Sequence, residues 1–115
     1  MWTMLLVHYE RSFHKGIINA YQKKSMKIIS AYDGMEGIAK WRESRPNFIL
    51  TAFNLPKLSG LALIRIIRED SDSIPIVCLC GWEGYQRKAK RFGANECLRN
   101  TAPFDVIVAA IEKLS

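Results

Sequence analysis

The chain has 115 residues, of which 49% are hydrophobic and 24% are charged. This length fits one ordinary domain with its own core, and the composition argues against disorder. No apolar run approaches the roughly 18 residues of a membrane helix, and the N-terminus lacks the basic start of a signal peptide. We therefore expect a single cytoplasmic domain over residues 1–115. The net charge of +6 favours anionic partners, or else it only aids solubility.

The chain contains three cysteines, Cys78, Cys80 and Cys97. Their number is odd, and none of them stands at the spacing of a metal-binding motif. Cysteines of a cytoplasmic protein are normally reduced, and free cysteines are usually buried. We therefore predict reduced core thiols and no cofactor.

The first half of the chain alternates short apolar runs with amphipathic stretches, the pattern of repeated βαβ units. Strands are predicted at residues 4–7 and 26–32, and a helix with Ser12 as its N-cap lies between them. A turn at Asp33–Gly34 opens a second helix, which ends before Pro46. The residues expected on the buried sides of these helices are Phe13, Ile17, Ala20 and Tyr21, then Met35, Ile38 and Ala39.

The second half continues the alternation. Strands are predicted at residues 47–53, 75–80 and 96–99, and helices at residues 61–69, 84–92 and after Pro103. The residues expected to face inward are Leu63, Ile64 and Ile67, then Tyr85, Ala89 and Phe92, then Ile107, Ala110, Ile111 and Leu114. Five strands and five helices predict an α/β fold, a three-layer doubly wound parallel sheet. Ligands of such sheets bind beyond the carboxyl ends of the strands.

One segment carries a specific resemblance. The stretch RPNFILTAFNLPKLSGLALIRIIRED, at residues 45–70, is similar to the PDLILLDxxMPxMSGLELLRxIR segment of bacterial response-regulator receiver domains. Further matches are SAYDGMEGIAKWRE, IPIVCLCG, RFGANECL and APFDVIVAAIEKL. The chain thus resembles a receiver over nearly its whole length. The resemblance implies the flavodoxin-like fold with strand order 2-1-3-4-5.

Receivers accept a phosphoryl group on an aspartate at the end of the third strand, beside magnesium-binding acidic residues after the first. A hydroxyl residue after the fourth strand and a lysine after the fifth contact the phosphoryl oxygens. The resemblance places other residues at these positions. They are His8 and Tyr9 for the acidic pair, Ala52 for the aspartate, Cys80 for the hydroxyl residue, and Asn100, or Ala102 in an alternative alignment, for the lysine.

Alanine has no lone pair that can attack phosphorus, so the resemblance implies a degenerate receiver that is not phosphorylated at Ala52. The function expected is that of a protein-interaction or dimerisation module of an atypical bacterial response regulator. The domain would stand alone or form the N-terminal part of a transcription regulator. No enzymatic activity is expected.

A basic cluster lies on the outer face of the fourth predicted helix, and Arg99 on the fifth strand would extend it. Its members are Arg87, Lys88, Lys90, Arg91 and Arg99. In receivers, the face of the fourth helix, fifth strand and fifth helix is a common dimer and output surface. The cluster is therefore either a docking face for an acidic protein or a symmetry mate, or a solvated helix face. Glu96, Asp105 and Glu112 would supply the opposite charges in a two-fold dimer. Direct nucleic-acid binding is disfavoured because no recognition helix is expected, and no membrane partner is predicted.

Other interpretations stay open. The vacated pocket around His8, Tyr9, Ala52, Cys80 and Asn100 would suit a sensor of an anion or small molecule. A metal site of His8, Cys80 and His14 is disfavoured, because a strand separates the first strand from the fourth and leaves roughly 10 Å between the side chains. A flavin-binding role is disfavoured because no phosphate loop follows the first strand.

Three tryptophans also have two interpretations each. Trp82 either fills the vacated pocket or stays partly exposed on its loop. Trp2 and Trp41 mark an interface or simply pack against the core.

Overall fold

A computed structural model of the chain describes residues 2–22 and 24–115. The strands are β1 (Trp2–Val7), β2 (Met26–Ala31), β3 (Phe48–Ala52), β4 (Ile76–Cys80) and β5 (Glu96–Arg99). The helices are α1 (Arg11–Ala20), α2 (Gly34–Ser44), α3 (Gly60–Asp70), α4 (Glu83–Phe92) and α5 (Phe104–Leu114). Within the described ranges, no helix is both long enough and apolar enough to cross a membrane.

The five strands form one parallel sheet in the order β2-β1-β3-β4-β5. The predicted fold class and strand order are thus confirmed. The order reverses between β1 and β3, where Val7 is the register partner of Thr51. A crevice opens at such a reversal beyond the carboxyl ends of the strands. This register brings the residues after β1 next to the end of β3.

Side chains of each strand alternate between two core layers, as the period of a strand requires. In β4, Ile76, Cys78 and Cys80 join the layer beneath α2, α3 and α4. Val77 and Leu79 join the layer beneath α1 and α5. Both faces of the central strands are covered, which explains why β3 and β4 are buried at every residue.

Polar side chains set the starts of two helices. Asp33 caps α2 by accepting a hydrogen bond from the Glu36 amide at 2.8 Å, and the Glu36 carboxylate accepts one from the Tyr32 amide at 3.1 Å. Ser59 caps α3 by accepting from the Ala62 amide at 3.1 Å. The prediction of Ser12 as a cap was wrong. Helix α1 begins at Arg11 with Glu10 at the cap position, and the Glu10 side chain makes no capping bond.

The predicted buried side is right for α3, where Leu63, Ile64 and Ile67 are fully buried, and for α4, where Ala89 is. It is partly wrong for α1 and α2, because Ala20, Met35 and Ala39 are exposed.

In α2 the contact is made by Gly37, where an added Cβ would lie 3.2 Å from both Leu63 and Val7. Close approach of the helix to the sheet thus rotates the buried stripe onto Gly37, Ile38 and Trp41. Trp41 is only 3% exposed and donates from Nε1 to the Asp70 carboxylate at 3.0 Å, so it packs within the domain. Trp2 is half-buried, with its ring 5.6 Å from that of Phe48.

Candidate functional site

A polar cleft of about 80 Å³ lies at the carboxyl edge of the sheet, over the point where the strand order reverses. Ala52 forms its floor at the end of β3, and Glu10 contributes the one carboxylate among the lining residues. The lining residues are His8, Tyr9, Glu10, Ala52, Asn54, Leu79, Gly81 and Asn100. The structure therefore brings together four of the five predicted site residues and leaves out Cys80.

Two further residues line this cleft, Glu10 and Asn54, and neither is among the predicted site residues. Glu10 is the third residue after β1 and Asn54 the second after β3, and ligand-binding residues of such sheets occur just beyond the carboxyl ends of the strands. That position is the signal that identifies them.

Cys80 points away from the cleft because it continues the alternation of β4 into the layer beneath α3 and α4. Its Sγ lies 3.7 Å from that of Cys78, and the Cys97 thiol lies 3.2 Å from the Gln86 carbonyl oxygen. The contact with Cys78, together with burial, raises the pKa of Cys80 to about 12. Contact with Cys80 and burial also raise the pKa of Cys97. These thiols are buried and free, as the sequence predicted.

His8 is 5% exposed and lies between two aromatic rings, 4.1 Å from Phe13 and 5.0 Å from Tyr9. Its Nδ1 accepts a hydrogen bond from the Glu10 amide at 3.1 Å, so the neutral ring carries its proton on Nε2. Burial lowers the pKa of His8 to about 4. The charge of Glu10 acts to raise this pKa, and the charge of His14 acts to lower it further. His8 is therefore an uncharged part of the cleft wall at neutral pH.

His14 uses both of its ring nitrogens inside the fold. Nε2 donates to the His8 carbonyl oxygen at 2.8 Å, and Nδ1 lies 2.9 Å from the Ser30 hydroxyl. Burial lowers the pKa of His14, which keeps the ring neutral. His14 thus ties α1 to β2 and to the residue that follows β1. In the part of the chain that the structure covers, no group of three potential metal ligands comes together around these histidines.

Asn100 closes the cleft on the side of β4 and β5. Its amide N–H donates to the Cys80 carbonyl oxygen at 3.1 Å. Its side-chain amide lies over Gly81, where an added Cβ would be 3.2 Å from Nδ2. The cleft therefore ends in a neutral amide, which can donate and accept hydrogen bonds but carries no charge.

Trp82 lies outside the cleft, and the interpretation that it fills the vacated pocket is wrong. It occupies the cap position of α4, and its side chain extends over Gly84 instead of toward Ala52. The ring is 63% exposed and meets the edge of Tyr85 at 5.1 Å. Tyr85 in turn stacks on Phe53 at 4.5 Å, so the aromatic packing holds Trp82 at the surface.

The basic cluster is exposed along α4 and at the end of β5, as the helical period predicts. Its members are Arg87, Lys88, Lys90, Arg91 and Arg99. Two of the three acidic residues that would complete a two-fold dimer are already paired within the chain. Glu96 lies 3.4 Å from Lys90, and Glu112 pairs with Lys24, whereas Asp105 is exposed. The cluster therefore keeps a surplus of positive charge.

Comparisons with known proteins agree with this architecture. The family model described as the response regulator receiver domain matches residues 4–112. The chain is 31% identical over 105 residues to the uncharacterized transcriptional regulatory protein YcbL of Bacillus subtilis, covering 90% of this chain and 45% of that protein. It thus spans less than half of this relative.

Solved structures of low sequence identity share the fold. The chemotaxis response regulator CheY4 of Vibrio cholerae superposes with a TM-score of 0.91 at 20% identity, over 100% of this chain and 99% of that one. The response regulator protein TrrA of Thermotoga maritima, solved in complex with Mg²⁺ and BeF, gives 0.88 at 22% identity over 100% of both chains. The architecture and the match along residues 4–112 show that this chain belongs to the response regulator receiver domain family of two-component signalling.

Proposed function

We propose that this domain is a degenerate, cytoplasmic receiver that is not switched by phosphorylation and acts as a protein-interaction or dimerisation module of a bacterial regulator. The observation that carries the proposal is the side chain of Ala52, a buried methyl group at the end of β3 on the floor of the cleft. Phosphoryl transfer to a protein requires a nucleophilic oxygen, nitrogen or sulfur at the point of attack.

The surroundings of Ala52 support the proposal. Magnesium prefers several oxygen ligands, often carboxylates, and the cleft offers Glu10 as its single carboxylate. His8 presents an uncharged ring, and Asn100 presents a neutral amide where the resemblance implies a lysine. A phosphoryl group bound here would therefore meet little of the positive charge that stabilises it.

The test is phosphorylation of the chain by acetyl phosphate with Mg²⁺, followed by intact-mass measurement. We expect no adduct, and no change of oligomeric state in light scattering when beryllofluoride and Mg²⁺ are added. TrrA, which was solved with Mg²⁺ and BeF, is the positive control. An adduct on this chain would contradict the proposal, and its loss in Glu10→Gln would identify Glu10 as the acceptor.

The partner that the surface favours is an acidic protein docked on α4 and β5. Four exposed basic residues follow one another along α4, and the acidic residues needed for a symmetric pair are largely engaged within the chain. The probe is a fluorescent polyglutamate peptide. We expect Arg87→Glu with Arg91→Glu to weaken its binding. Lys15→Glu with Lys27→Glu, at two exposed positions outside α4, changes the net charge equally and should leave binding nearly unchanged. Equal weakening by both variants would show that only net charge matters.

A second candidate is a sensor that binds a small anion or metabolite in the cleft. The observation that favours it is the enclosed polar lining of the cleft. In this lining, His8 Nε2 makes no hydrogen bond to the described part of the chain, so it could donate one to a bound molecule. A thermal-shift screen with inorganic phosphate, sulfate and acetate tests it. A stabilisation that His8→Leu or Tyr9→Ala removes would favour the sensor over the interaction module.

A further inference from the structure

A second concave region lies at the opposite, amino edge of the sheet. A cavity of about 230 Å³ opens there between Trp2 at the start of β1, Met26 at the start of β2 and Ile111 in α5. A neighbouring cavity of about 290 Å³ shares Tyr21, Lys24 and Met26 with it. One water occupies about 30 Å³ in the liquid, so the first cavity has room for several waters or one small molecule.

Tyr21 stands in the wall that the two cavities share. Its side chain is 5% exposed, and its hydroxyl is buried without a hydrogen-bond partner in residues 2–22 and 24–115. Nearly all buried polar groups of folded proteins are paired, because an unpaired one costs free energy. An acceptor oxygen that reaches this hydroxyl from the cavity would supply the missing bond.

The charges around the cavity indicate a neutral molecule. Lys24 and Glu112 form an ion pair at the rim and neutralise each other. An anion would meet Glu112, and a cation would meet Lys24. Burial and the nearby Glu112 carboxylate raise the pKa of Tyr21 to about 12, so its hydroxyl keeps its proton and can donate it. Apart from the ion pair, Ser25 and Ser115, the lining residues are apolar or aromatic, as is usual for small-molecule sites.

We propose that this cavity binds a small neutral aromatic molecule with one acceptor oxygen, packed against Trp2 and Ile111 and hydrogen-bonded by the Tyr21 hydroxyl. Aromatic rings attract one another in offset or edge-to-face arrangements, which the rings of Trp2 and Tyr21 provide. The site shares no residue with the cleft at the carboxyl edge. Its existence is therefore independent of whether the domain can be phosphorylated.

The probe is phenol, with toluene as the matched molecule that lacks the oxygen. Each is titrated into the labelled 115-residue chain, and binding is followed from the Trp2 indole N–H and the backbone amides of residues 24–26 and 111–115. One neutral hydrogen bond is worth about a three- to tenfold preference, so phenol should bind that much more tightly than toluene. Tyr21→Phe should abolish the preference, and Tyr85→Phe, far from this cavity in α4, should keep it.

The proposal is overturned if phenol leaves the Trp2 signal unchanged, or if Tyr21→Phe still prefers phenol. Amide dispersion of Tyr21→Phe shows whether the variant is folded. A second measurement uses the unaltered chain alone, namely nuclear Overhauser contacts between the phenol ring and the Trp2 indole. Their presence supports the site, and their absence at saturating phenol contradicts it.

Discussion

Acidification should destabilise this domain through His8. The ring is buried without charge, and its pKa is about 4 in the folded chain against about 6.5 in an unfolded one. Between these values the unfolded state binds more protons than the folded state, so stability falls as pH decreases. The loss starts near the unfolded pKa and is complete below the folded one. From pH 7 to about pH 4.5, His8 alone should remove about 2 kcal/mol, since one pKa unit corresponds to about 1.4 kcal/mol.

The measurement is urea unfolding at several pH values, followed by tryptophan fluorescence, for the unaltered chain and for His8→Leu. Leucine fills a similar volume but cannot take up a proton. The burial of His14, whose pKa is also lowered, acts in the same direction in both proteins and cancels in the comparison. The unaltered chain should lose about 2 kcal/mol more than His8→Leu over this range. Parallel curves, or a His8 titration midpoint near 6.5, would refute the reasoning.

Three further predictions concern stability, each measured by urea unfolding. Gly60→Ala should destabilise by about 1–3 kcal/mol or more, because its Cβ would lie 2.0 Å from the Ala52 carbonyl oxygen. Gly81→Ala is the control, since its nearest neighbour is a side-chain amide at 3.2 Å, and an equal loss would contradict the argument. Ser59→Ala should cost about 1 kcal/mol through the lost α3 cap, and Ser12→Ala almost nothing. Ile64→Ala should cost about 2–5 kcal/mol because Ile64 is fully buried, and a loss below 1 kcal/mol would show that the site collapses.

Much of the fold follows from local sequence properties. The period of apolar residues switches between that of a strand and that of a helix, and this switch predicted all ten elements and the buried side of α3. The errors occurred where tertiary contacts override the period. In α2, the close approach of Gly37 to Val7 and Leu63 turns Met35 and Ala39 outward, which no local pattern reveals.

The candidate site divides in the same way. The residue type at the end of β3 is read directly from the sequence, and so are the positions of His8, Tyr9 and Asn100 directly after strands. Side chains alternate between the two faces of the sheet along a strand, so the direction of the last side chain depends on the face to which its position belongs. The structure alone therefore shows that Cys80 packs into the core, away from the cleft.

The identity and order of the residues determined which chemical groups this protein has and which strands can neighbour each other. Packing decided which of those groups meet. Trp82 stays at the surface. Both ring nitrogens of His14 are engaged, one with the His8 carbonyl oxygen and the other with the Ser30 hydroxyl. The Tyr21 hydroxyl is buried without a hydrogen-bond partner in the described ranges. The physical reason is that periodicity is a property of neighbouring residues, whereas burial, hydrogen bonding and pKa are set by atoms that are distant in sequence.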